Sequence, residues 1–287
     1  PRPCGEGVGA LRELRDAAEE YVEFAVGTVS GNLAGLHVVF DCANGASWLT
    51  SPDAFRRLGA KVTVINASPD GGNINAGCGS THPEGLQRAV VELGADMGFA
   101  HDGDADRVLA VDERGALVDG DQIMALCAAW RLERGKLPGK AICATQYSNL
   151  GLHEAMGKLG VEVVVVENGD RYVLQAMLDR GLHLGGEQSG HVIMLDKATT
   201  GDGLITALEV ASIAAGSGKR LSVLASIMRR FPQVLVNVKV ANKQLYTGNA
   251  AIADALRSAT EALGANCRLV VRPSGTEPIV RVMGEGP

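Results

Sequence analysis

Apolar runs alternate with helical patterns along most of the chain. Leu36-His-Val-Val-Phe40 reads as a buried strand, closed by a turn at Asp41-Cys-Ala-Asn-Gly45. A helical stretch leads to Leu58-Gly59, and Lys61-Val-Thr-Val-Ile65 is the next strand. Met97-Gly-Phe-Ala100 is a short strand that runs into an acidic loop, and Val108-Leu-Ala-Val111 follows as another. Asp119 to Arg131 reads as an apolar helix with an acidic N-terminus.

The pattern then restarts. Ala141-Ile-Cys-Ala-Thr145 is a strand, Ser148-Asn149-Leu-Gly151 turns into a helix that ends at Leu159-Gly160, and Val161 to Val166 is a strand. The order strand, Asn-containing turn, helix, Leu-Gly, strand therefore occurs twice, as a weak internal repeat of one βαβ unit. Apolar strands between helices imply mixed or parallel sheets covered on both faces. After Phe231-Pro232 the texture changes to a long alternating strand over Gln233–Val240, a helix over Ala250–Leu263, a strand over Arg268–Val271, a loop over Arg272–Pro278 and a final strand. The fold class expected is α/β: two consecutive α/β domains with mixed sheets covered by helices, at 1–115 and 116–230, and a smaller, truncated α+β domain at 231–287. Pro1-Arg2-Pro3 resembles a linker and the last apolar run stops abruptly, so a fragment is expected at both ends.

Composition changes this picture only at the margins. Aromatics make up 4% of the 287 residues while Gly numbers 37, so the core must come from Val, Leu, Ile and Ala. A net charge of −6 argues against a nucleic-acid partner, which needs a basic face, but leaves room for small phosphorylated ligands. The six cysteines include no Cys-x-x-Cys pair, which disfavours a zinc ribbon or redox dithiol and suits a reducing compartment. No apolar run reaches membrane-spanning length and no secretory signal opens the chain, so a membrane partner is not expected.

Asp102-Gly-Asp104-Ala-Asp106-Arg107 is the sharpest chemical signal. Carboxylates at every second position, with Gly between the first two, let a tight loop turn them inward, where they would repel one another in a partly dry site. A hard divalent cation resolves that repulsion, and oxygen-only ligands favour Mg²⁺ or Ca²⁺ over zinc. The bland alternative is a solvated acidic turn. An EF-hand would need Gly where Arg107 stands, and a haloacid-type phosphatase lacks its second downstream Asp at Gly201-Asp202-Gly203.

Two further loops suit a sugar phosphate. In Gly185-Gly-Glu187-Gln-Ser189-Gly-His191, Glu187 and Ser189 lie two apart and face the same way in an extended loop, which suits vicinal hydroxyls. Arg272-Pro-Ser274-Gly275-Thr276-Glu-Pro278 combines a guanidinium fork, two hydroxyls and a Gly that bares backbone N–H groups, the makings of a phosphate cradle. Gly216-Ser-Gly-Lys219 is a decoy, since Arg220 stands where a P-loop needs Ser or Thr. Among the histidines, His37 and His183 read as structural and His153 as lying on a helix surface. His101 and His191 adjoin the candidate loops, and His191 is a candidate for handling protons.

Together these loops resemble the alpha-D-phosphohexomutase superfamily, in the family's order and over nearly the whole chain. Pro69-Asp-Gly-Gly-Asn73-Ile-Asn75, Cys78-Gly-Ser-Thr-His82, Gly169-Asp-Arg171-Tyr172 and Gly186-Glu-Gln-Ser-Gly-His191 resemble its bacterial phosphoglucosamine mutase branch. The resemblance implies interconversion of glucosamine 6-phosphate and glucosamine 1-phosphate through a phosphoserine and a 1,6-bisphosphate, in the cytoplasm, by a homodimer. It implies Mg²⁺ on Asp102, Asp104 and Asp106, with Arg107 beside the developing charge. Glu187 and Ser189 would hold the sugar, and Arg272, Ser274, Gly275 and Thr276 the phosphate that is not reacting. The Ser-His-Asn-Pro-type loop that carries the family's phosphoserine is absent, so the chain matches the second, third and most of the fourth of four domains and is expected to be inactive alone. A phosphomannomutase or phosphoglucomutase of the same superfamily, a non-catalytic metal- and sugar-phosphate-binding module, and a phosphatase with an Asp nucleophile remain alternatives.

Overall fold

The computed structural model describes residues 4–9, 13–240, 249–264, 267–274 and 278–286. After helix α1 (Ala17–Gly27) the chain builds a five-stranded sheet from β1 (His37–Asp41), helix α2 (Thr50–Arg57), β2 (Lys61–Ile65), helix α3 (Glu84–Leu93), β3 (Met97–His101), β4 (Val108–Asp112) and β5 (Leu117–Val118). The strand order is β2-β1-β3-β4-β5; β1 runs parallel to β2 and β3, and the last two pairings are antiparallel. Val38 and Phe40 pack with Ala54 and Phe55 of α2, whereas Val39 points to the opposite face, against Leu86 and Val90 of α3. Burial on both faces explains why Val38-Val39-Phe40 of β1 is a continuous apolar run rather than an alternating one.

The second sheet repeats the first. Helix α4 (Gly120–Glu133) is followed by β6 (Ala141–Thr145), α5 (Leu150–Lys158), β7 (Glu162–Val166), α6 (Asp170–Arg180), β8 (Leu184–Gly186), β9 (Val192–Met194), α7 (Gly203–Ser217) and α8 (Leu221–Ala225). Its order, β7-β6-β8-β9, has two parallel pairings and one antiparallel pairing in the places where β2-β1-β3-β4 has them. The repeat read in the sequence is thus a repeat of topology. Asp119 caps α4 with a reciprocal capping box to Gln122. Helices α4 and α7 are apolar nearly all round because they lie in a core shared by both sheets. Buried Arg131 of α4 is neutralised within the fold: it bonds Glu209 at 3.1 Å and Asp196 at 2.9 Å, while Lys197 meets Glu209 at 2.5 Å.

A third, antiparallel sheet has the order β10-β12-β11, from β10 (Gln233–Lys239), β11 (Arg268–Pro273) and β12 (Ile279–Glu285), with α9 (Ala250–Leu263) packed on β11. Three expectations change here. The alternation along β10 does not bury one face: Val234 to Lys239 are all exposed, because β10 is an edge strand and α9 covers the opposite edge. β11 continues through Arg272 and Pro273, which pair with Arg281 and Val280, so Arg272 is held on a strand rather than in a loop. His153 is half-buried in α5 rather than on its surface, and its pKa is lowered by burial and by the charge of Arg268.

Candidate active site

In both α/β sheets the strand order reverses direction between the first and third strands, and the C-terminal ends of those strands open a crevice there. In the first sheet the crevice holds the turn after β1 and the acidic loop after β3. In the second it holds the turn after β6 and the Glu187–Gly190 loop after β8. The acidic and Glu-Ser loops therefore occupy equivalent places in the two repeats. They also touch: the Val108 N–H donates to Gly190 O at 3.2 Å, and the Gly120 N–H to Gln188 O at 3.0 Å.

The acidic loop is braced by close backbone packing. The Ala46 N–H donates to Gly103 O at 2.8 Å, and a Cβ on Gly45 would land on that same carbonyl. Ala105, at φ 63°, accepts from the Gly203 N–H of α7 at 3.0 Å. This folding brings one oxygen each of Asp102, Asp104 and Asp106 within 4.8 Å of one another. Asp102 is buried, and its pKa is pushed up to about 7 by burial, by the hydrogen bond with Asp104 and by the charge of Asp106. Asp106 Oδ1 is buried without a hydrogen-bond partner. Converging oxygens, a carboxyl that resists ionisation and an orphaned oxygen fit a hard divalent cation, which would relieve all three.

Arg107 lies at the junction, its Nε 3.9 Å from Asp102 and 3.8 Å from Asp106. The two histidines beside the loops separate in role. His101 is wholly inaccessible, stacked 5.9 Å from Phe40, with Nδ1 3.3 Å from Arg107 O, and burial pushes its pKa down to about 4. It is a neutral wedge. His191 directs Nε2 to Asp106 at 3.6 Å, and Gly201 packs against its ring.

The Glu-Ser pair is set as its spacing predicts: Ser189 Oγ donates to Glu187 Oε2 at 3.2 Å. Glu187 Oε1 accepts from the Gly169 N–H at the start of α6 at 3.1 Å. Arg107, Glu187 and Ser189 line one cavity of about 470 Å³. Its walls add residues that the sequence reading missed: Asp119, Thr145, Tyr147, Asn168, Gln188 and Arg230. Arg230 Nε lies 3.5 Å from the buried Asp119 carboxylate, which holds a second cation over the cleft. Tyr147 and Asn168 stand two residues beyond the C-terminal ends of β6 and β7, a position that an α/β sheet reserves for ligands, and that was the signal available. Asp104 and Asp106 instead line a neighbouring cavity of about 380 Å³ with Tyr21, Ser47, Thr200 and Asp202.

Of the candidate phosphate residues, Arg272 and Ser274 lie outside the lining of the 470 Å³ cavity. The Arg272 guanidinium carbon sits 5.6 Å from the ring centre of Tyr147, in the cavity wall. Ser274 is buried and its N–H donates to Ile279 O at 2.9 Å. Gly275 and Thr276 lie outside the described residues. Among the described residues, no helix is long and apolar enough to cross a membrane.

Three consecutive family models match the chain: phosphoglucomutase/phosphomannomutase alpha/beta/alpha domain II at residues 19–115, alpha/beta/alpha domain III at 119–231, and the C-terminal domain at 235–287. The phosphoglucosamine mutase of Pelotomaculum thermopropionicum is 53% identical over 286 residues, covering 100% of this chain and 64% of that protein. That of Moorella thermoacetica is 51% identical over 287 residues, covering 100% and 65%. The chain thus spans a little under two thirds of the length of these relatives. Among solved structures, a phosphoglucomutase/phosphomannomutase family protein of Burkholderia thailandensis superposes with a TM-score of 0.77 at 27% identity, over 94% of this chain and 60% of that one. The N-acetylphosphoglucosamine mutase of Aspergillus fumigatus, in complex with GlcNAc-6P and magnesium, shares the fold, with a TM-score of 0.75 at 22% identity over 95% and 62%.

Proposed function

The chain belongs to the phosphoglucomutase/phosphomannomutase family, and from that premise we propose that it forms the metal-, sugar- and phosphate-binding part of a phosphoglucosamine mutase. The observation that carries this reading is the junction at Arg107. One guanidinium lies between the carboxylate cluster and the cavity that holds Glu187 and Ser189, so a phosphoryl group at Arg107 would be within reach of both. The unit at 1–115 carries the metal loop, that at 116–230 the sugar loop, and that at 231–287 the phosphate cradle.

Asp102, Asp104 and Asp106 would hold Mg²⁺, which when bound would offset charge on the transferring phosphoryl oxygens. Arg107 stabilises the same charge from the cleft side. Glu187 and Ser189 present an acceptor and a hydroxyl that can bind the sugar in either orientation, as a mutase requires. Arg272 and Ser274, with Gly275 and Thr276, grip the phosphate that is not reacting, and His191 moves protons beside Asp106. The reading requires a phosphoserine, and no Ser-His-Asn-Pro loop occurs in residues 1–287. The substrate is glucosamine phosphate, in keeping with relatives that are themselves phosphoglucosamine mutases. The same reading makes the complete protein a cytoplasmic homodimer, which sedimentation would check, and the free cysteines suit that compartment.

Titration calorimetry on this chain tests the core of the proposal. Mg²⁺ and glucosamine 6-phosphate should each bind, and Asp104→Ala should abolish the Mg²⁺ signal. Unchanged Mg²⁺ binding in that variant, or no sugar-phosphate binding by the parent, would sink the reading.

A further inference from the structure

The turn that leads from β6 into α5 faces two ways. Its Tyr147 lines the cleft, while its backbone is gripped by the third sheet. Glu285, at the end of β12, has a fully inaccessible side chain. Its Oε1 accepts from the Leu150 N–H at 2.8 Å, satisfying an amide that the first turn of α5 leaves open. Its Oε2 meets Arg268 Nη2 at 2.6 Å, and the same nitrogen donates to Ser148 O at 2.6 Å. A second set of bonds fixes the start of the third sheet to this turn. Gln233 Nε2 donates to Tyr147 O at 3.2 Å, Asn149 Nδ2 to Phe231 O at 3.0 Å, and the Phe231 N–H to Asn149 Oδ1 at 2.9 Å.

Arg268 and Arg272 lie four residues apart on β11, so both project from the same face of one stiff strand, about 13 Å apart. One end of that strand is bolted to Ser148 directly and, through Glu285 of β12, to Leu150. The other end sets the Arg272 guanidinium 5.6 Å from the Tyr147 ring centre, on the same turn. An apolar contact would hold the sheet against the turn but could slide. Short charge-assisted bonds to two particular backbone atoms fix register as well as contact.

We propose that the Arg268–Glu285 pair, half-buried at Arg268 and fully buried at Glu285, is a positioning element, which registers Arg272 against Tyr147 of the cleft wall and so acts on the sugar phosphate through Arg272, without touching it. This rests on the proposed function, because it takes Arg272 to be a phosphate ligand. Replacing both partners of such a pair by apolar packing of the same volume is often neutral, so net stability does not account for its presence.

The test is a thermodynamic cycle by calorimetry on this chain with glucosamine 6-phosphate, using Glu285→Gln, Arg268→Ala, Arg272→Ala and the two doubles with Arg272→Ala. Glu285→Gln retains an acceptor for Leu150 and is the variant that keeps the fold. Arg272→Ala should weaken binding about tenfold or more. Glu285→Gln and Arg268→Ala should each weaken it about fivefold in the parent, and not at all once Arg272 is gone. Mg²⁺ affinity should be the same throughout. Losses that add in the doubles, full affinity in Glu285→Gln, or a parallel loss of Mg²⁺ binding would each overturn the positioning role while the proposed function stands. No binding by the parent would instead refute the proposed function, and this inference with it.

Discussion

Mg²⁺ binding should depend on pH in a way set by Asp102. Burial, the Asp104 hydrogen bond and the Asp106 charge together raise its pKa to about 7 in the metal-free protein. A cation that uses this carboxylate must displace its proton, so low pH opposes binding and high pH favours it. A single group with that pKa is about nine-tenths ionised at pH 8 and about one-tenth at pH 6, so the dissociation constant should rise about tenfold between them. Calorimetry in two buffers of different ionisation enthalpy reads the proton directly: about one released per ion at pH 6 and close to none at pH 8. Asp102→Asn should bind Mg²⁺ more weakly at pH 8 and lose this pH dependence. Affinity in the parent that is the same at both pH values, with no proton released, would mean that Asp102 is not a ligand or that its surroundings do not raise its pKa.

Gly45→Ala should weaken Mg²⁺ binding roughly tenfold although no ligand is removed, because the new methyl falls on the Gly103 carbonyl and must shift the loop; parent-like calorimetry would refute that packing. Arg272→Ala should cost on the order of 1.5–3 kcal/mol in sugar-phosphate binding, with lysine rescuing only in part for want of a planar fork, and Mg²⁺ titration of the same variants supplies the control. Asp121 is buried against Asp119, and its pKa is raised to about 7 chiefly by burial. The folded form thus keeps a proton that the unfolded chain sheds near pH 4, so Asp121 takes stability away as pH rises from about 4 to 7. Denaturant midpoints should show Asp121→Asn gaining on the order of 2 kcal/mol over the parent at pH 8 relative to pH 5; equal gains at both would remove Asp121 from the account. Mutase assays on purified residues 1–287 should show no turnover of glucosamine 6-phosphate, and measurable turnover would show that no separate phosphoserine is needed.

What the sequence determined by itself was local. The β1, β3 and β6 strands stand close to where their apolar runs lie, because a run buried on both faces is written in consecutive residues. The convergence of Asp102, Asp104 and Asp106 and the Ser189–Glu187 contact were also legible, because i, i+2 spacing in a short loop brings such side chains together. The recurrence of strand, turn, helix and strand likewise survives as recurrent sheet order. Only the tertiary structure could separate His101 from His191, since both adjoin site loops in sequence, and the difference is that one ring is sealed behind Phe40 while the other meets Asp106. It alone set Arg230 against Asp119 and Arg268 against Ser148, contacts between residues more than 100 positions apart. Closing such loops costs chain entropy that no neighbouring residue records, and it is recovered only when separate elements bury one core together.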